Sequence, residues 1–175
     1  MEKEYTIDKI RSEFADKQFD EQTLELITNF IEEFDSLFGK YLPREEVIGR
    51  IRDNLNKVTF NYEFKNPKIQ GTYILDDGCI YLSKNLQDIE NIKAVFFHEM
   101  IHCLTANREK GIVGFKKTMT CQDFDDDSEQ ILIGHGFNEG VTEYATRIRC
   151  QKYAPELHRN SYPILAEQIE NLAEK

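Results

Sequence analysis

Ala94-Val95-Phe96-Phe97-His98-Glu99-Met100-Ile101-His102-Cys103-Leu104 is the stretch whose reading decides the fold. Inside it lies an H-E-x-x-H pattern, His98-Glu99-Met100-Ile101-His102. On a helix, residues four apart share a face, one turn above the other. Two imidazoles so placed can grip one metal ion, and the glutamate beside the first is sited to act on a metal-bound water. The flanks are apolar on more than one side. A helix nearly apolar all round belongs in a domain interior. There, two histidines and a glutamate need partners, because burying them unpaired is costly. A metal is the simplest partner for all three.

Working outward towards the N-terminus, Asp88 is placed to cap this helix, which is predicted to run to about Asn107. A hairpin precedes it: Ile69 to Leu75, the turn Asp76-Asp77-Gly78, then Cys79 to Ser83. Before Asn66-Pro67, Val58, Phe60, Tyr62 and Phe64 alternate with polar residues, the period-two pattern of a strand. Further back the period changes to three and four. Leu24, Ile27, Phe30, Ile31, Phe34, Leu37 and Phe38 predict a helix over 21–38, with Gly39 as its stop. Pro43 followed by Glu45 and Glu46 opens another, through Leu55. Ile7, Ile10, Phe14 and Phe19 suit a first short helix. Residues 1–57 therefore read as a helical packing region, and 58–175 as the core that carries the chemistry.

Towards the C-terminus, 111–120 and Ile131-Leu132-Ile133 read as strands. The acidic run from Asp123 to Glu129 lacks the glycine and spacing of an EF-hand loop and reads as a solvated loop. A helix is expected from Phe137 to near Cys150, and a last one from Pro163 to Ala173.

The composition is 40% hydrophobic and 31% charged, and 32 acidic residues against 22 basic ones give a net charge of −10. That balance argues against a nucleic-acid surface. No apolar run is long enough to span a membrane or form a leader, so the cytoplasm is the expected compartment. Cys79, Cys103, Cys121 and Cys150 show no C-x-x-C pairing and read as reduced thiols.

Catalytic zinc typically takes three protein ligands and leaves a fourth position for water. His98 and His102 supply two. The third must come from His135, His158 or a later carboxylate. Glu139 is the best placed, at the start of a second helix, with Glu143 one turn on to support a ligand imidazole. The reverse assignment, Glu143 as ligand and Glu139 as support, uses the same geometry. Tyr162, His158, Tyr144 and His135 are the candidates to stabilise an oxyanion, with Tyr162 first.

His98-Glu99-x-x-His102 followed by Asn138-Glu139-Gly140-x-x-Glu143 resembles the gluzincin metallopeptidases, which include thermolysin-like enzymes and the compact minigluzincins. The resemblance covers roughly residues 69–150. With the elements read above, the expected fold is α+β, a small antiparallel sheet packed on an active-site helix and a glutamate helix, with an added N-terminal helical region that the resemblance does not cover. It implies Zn2+ held by His98, His102 and Glu139, with Asn138 and Glu143 beside them. Glu99 would be general base in peptide hydrolysis, and a peptide or protein the substrate. The strand around Ile80-Tyr81-Leu82 would be the sheet edge along which an extended peptide lies. The stretch between His102 and Glu139 is longer than the gluzincin spacing, and little chain follows the glutamate helix. The competing reading is a non-catalytic metal-binding regulatory or interaction module on the same scaffold. Glu99 argues against it, since a purely structural site needs no general base.

Overall fold

The computed structural model describes residues 7–114, 116–119, 131–133, 135–157 and 162–173. It is an α+β chain that divides into two compact units, Met1–Leu104 and Thr105–Lys175. The first unit begins with α1 (Ile7–Glu13), α2 (Glu21–Phe38) and α3 (Arg44–Asn54). The Asp20 carboxylate accepts from the Thr23 N–H at 2.8 Å and fixes where α2 starts. Its end falls at Phe38 as expected. Gly39, however, stays right-handed at φ −58°, so the stop does not use glycine's left-handed freedom.

Next come β1 (Lys57–Tyr62), β2 (Gly71–Ile74) and β3 (Cys79–Ser83) in one sheet of order β1-β3-β2. The hairpin β2–β3 forms as its turn residues predict, with Gly78 at φ +66° and the Asp77 carboxylate accepting from the Cys79 N–H. Two expectations fail here. The sheet is mixed rather than antiparallel, because β1 runs parallel to β3. And β3, which contains Ile80-Tyr81-Leu82, is the central strand, not an edge. The reason is burial: four of its five residues, Cys79, Ile80, Leu82 and Ser83, are buried, so it takes the place with a neighbour on each side. The loop 63–70 is long enough for β2 to pass the position that β3 fills. The edge beside the motif helix is therefore β2.

That helix, α4 (Ile89–Leu104), starts where Asp88 accepts from the Glu90 and Asn91 N–H groups at 2.9 and 3.0 Å. Every residue from Ala94 to Leu104 is buried. Phe97 stacks against Phe30 of α2 at 5.1 Å between ring centroids. A single hydrophobic core runs from Ile10 through Phe30, Ile51 and Ile80 to Leu104. The helical region 1–57 is thus continuous in packing with the sheet and α4. The compact units divide after Leu104.

The helix also stops three residues before the predicted Asn107. Asn54 of α3 donates to the Cys103 carbonyl at 3.0 Å, and Arg50 donates to the Leu104 carbonyl at 3.1 Å. Two otherwise orphaned carbonyls of the last turn are satisfied by side chains from another helix. The Asn107 carboxamide meanwhile accepts from the Lys110 N–H and holds a tight turn over Arg108–Lys110.

The second unit carries an antiparallel sheet of β4 (Ala106–Asn107), β5 (Ile112–Val113), β6 (Lys116–Met119) and β7 (Ile131–Ile133), in that order. The strand predicted over 111–120 is two strands, because Gly114 turns the chain at φ +55°. The acidic run at 123–129 lies outside the described residues. α5 (His135–Tyr153) follows β7, and α6 (Pro163–Ala173) packs on α5. A Cβ at Gly140 would come within 3.1 Å of the Leu165 Cβ and carbonyl oxygen. Its absence is what lets the two helices approach.

Candidate metal centre

The i, i+4 spacing does what the sequence requires of it. His98 and His102 project from one face of α4, with ring centroids 5.0 Å apart and ring planes at 74°. Both are buried, as is Glu99 between them. Each imidazole can offer one nitrogen to a metal while the other ring nitrogen takes a supporting bond.

Glu139 joins them. One ligand atom from each of His98, His102 and Glu139 lies within 4.8 Å of the other two. Among the described residues this is the group of histidine, cysteine and acidic side chains so assembled. Two neutral imidazoles and a carboxylate form a donor set suited to zinc, whose catalytic sites include His2Glu. Burial adds to the fit. A buried carboxylate is held at less cost beside a cation than alone.

Glu143 is not in this group. It is fully buried one turn further along α5, and its Oε1 lies 3.6 Å from the Arg147 Nε. Asn138 is buried too, against the backbone of Gly114. A Cβ at that glycine would overlap the Asn138 Oδ1. α5 begins two residues earlier than predicted, so Asn138 and Glu139 stand in its first turns rather than at its opening. Its buried residues are mostly polar, Asn138, Glu139, Thr142, Glu143, Thr146 and Arg149, with Cys150 near its end. Hydrophobic periodicity could not reveal them.

Tyr162 precedes α6 in a left-handed conformation at φ +46° and is 43% exposed. Its exposed position lends no support to an oxyanion-binding role, which draws its strength from exclusion of water. Tyr144 is half-buried on α5. His135 opens α5, and His158 lies outside the described residues.

Sequence reasoning passed over Gly71. A Cβ there would fall 2.5 Å from the Val95 Cγ1 and 3.1 Å from both Cγ and Oε1 of Glu99. An isolated glycine inside a strand pattern was the available signal, since it marks a close approach of backbone.

No family model, curated protein or solved structure matches the chain. The site is read from its own residues.

Proposed function

We propose that the chain is a zinc-dependent metallopeptidase of gluzincin type. The observation that carries this reading is the buried grouping of His98, His102 and Glu139, with the Glu99 carboxylate on the same helix turn. His98 and His102 would each give one imidazole nitrogen to Zn2+, and Glu139 one carboxylate oxygen. When bound, zinc supplies a Lewis acid that makes water nucleophilic near neutral pH. Glu99 takes the proton from the attacking water and delivers it to the amide nitrogen as the C–N bond breaks. The carboxylate of Glu139 would offset part of the cation's charge. Glu143, with Arg147 beside it, keeps a second buried carboxylate on the face of α5 that carries Glu139. The substrate is a peptide or protein, and β2 is the sheet-edge strand nearest α4. Three described cysteines, Cys79, Cys103 and Cys150, are buried and in no disulfide, which favours a reducing compartment such as the cytoplasm. No helix among the described residues is long and apolar enough to cross a membrane.

Elemental analysis of the purified chain should find about one zinc per molecule. Glu99→Gln should keep the zinc and lose roughly 10²–10⁴-fold of the hydrolysis of a peptide library. Glu139→Ala should lose more zinc than Glu143→Ala. A zinc-loaded wild type that cleaves nothing would overturn the peptidase reading and leave a metal-binding interaction module. A chain that takes up no zinc would overturn both.

A further inference from the structure

We propose that Gly71 is a positioning residue for Glu99, the wall that keeps the carboxylate of the general base in place. The proposal rests on the peptidase reading for its consequence, though not for its geometry. Gly71 opens β2 and pairs with Leu82 of β3. Residues two apart on a strand share a face, and Tyr73 shows which face this is. Its ring packs on the core of the first unit, and its hydroxyl donates to the Asn54 carbonyl at 3.1 Å. Gly71 faces the same way, onto α4, where Val95 and Glu99 stand one turn apart.

The glycine is not there for its backbone freedom, because its φ lies outside the left-handed region. It is there for space. A Cβ would stand 2.5 Å from the Val95 Cγ1, too close for any ordered side chain. The same carbon would stand 3.1 Å from the Cγ and the Oε1 of Glu99. The bare backbone of β2 therefore lies flat along the glutamate, from its methylene to its carboxylate oxygen. A methyl group at this position is tighter than ordinary contact, so the Glu99 side chain has to give by a few tenths of an ångström. Proton transfer demands hydrogen-bond reach, and misplacement by about 1 Å can cost 100-fold.

Plain packing of β2 against Val95 predicts the same glycine, and a double substitution separates the two. In Gly71→Ala/Val95→Ala the worst overlap is gone, while the contact with Glu99 remains. If Gly71 positions Glu99, this double variant binds zinc like wild type and keeps its KM. Its kcat falls several-fold, up to about tenfold, below that of Val95→Ala alone, and its crystal structure shows the Glu99 carboxylate displaced. A double variant that matches Val95→Ala in kcat, with the carboxylate unmoved, overturns the proposal. Should wild type hydrolyse nothing, the peptidase reading fails separately. The carboxylate's position in the two crystal structures then decides the inference about Gly71.

Discussion

Cys103 sits one residue after His102 and is fully buried in the core of the first unit. Burial pushes its thiol well above the usual range, since a thiolate there would lose its hydration. The sign of the consequence follows from linkage. Below the unfolded thiol's pKa of about 8.5, both states hold the proton and stability is unaffected. Above it the unfolded chain releases a proton that the folded chain retains, so stability falls by about 1.4 kcal/mol per pH unit from this group. Denaturant titrations from pH 7 to 10 should show that slope in wild type and lose that part of it in Cys103→Ala. Equal slopes would mean that Cys103 is not sealed from water. At this scale much was legible in advance. The spacing of His98, Glu99 and His102 dictated that they share a helix, and the Asp-Gly turn dictated the hairpin. The close approach of Gly71 to Glu99 was signalled only by a glycine in a strand. The fully buried Glu143 with Arg147 at hand, and the burial of Asn138 against Gly114, depend on neighbours that no local pattern names.

At the level of elements, α4 depends on α3 for its last turn. Asn54 is buried and donates to the Cys103 carbonyl, while its own carbonyl accepts from Tyr73. Asn54→Leu keeps the volume and removes the donor. It should destabilise the zinc-free chain by about 1–3 kcal/mol, the cost of leaving a buried carbonyl unsatisfied. Arg50 makes the equivalent bond to Leu104 from a more exposed position and also pairs with Glu46. Arg50→Ala should cost less, about 1 kcal/mol or under. Urea unfolding of the two variants checks the order, and a reversed order would refute this account of the cap. Helix existence was readable from periodicity, and α2, α3 and α6 fall close to their predicted ranges. The end of α4 was not, because its stop comes from side chains 49 and 54 residues away in sequence rather than from a local breaker.

Considered whole, the chain has its clearest energetic centre in the first unit, where α2, α3, the mixed sheet and α4 share one apolar core. Phe97 is fully buried there against Phe30. Phe97→Ala should lower the unfolding free energy by about 3–5 kcal/mol, lost burial plus the cavity left behind. Tyr41→Ala, at a residue 73% exposed, should stay within about 0.5 kcal/mol. Similar losses for both would mean that the core is not packed as described. By itself the sequence determined the local elements, the α+β class, the pairing of two histidines on one face and the likeness of Asn138-Glu139 to a ligand-bearing helix. These follow from short-range rules of period, capping and turn chemistry. Only the tertiary structure decided that β3 is central and β2 the edge, that β1 runs parallel, and that the N-terminal helices belong to the same core as α4. Each of those is a choice among partners distant in the chain. It is settled by how much surface each pairing buries, which no window of sequence contains.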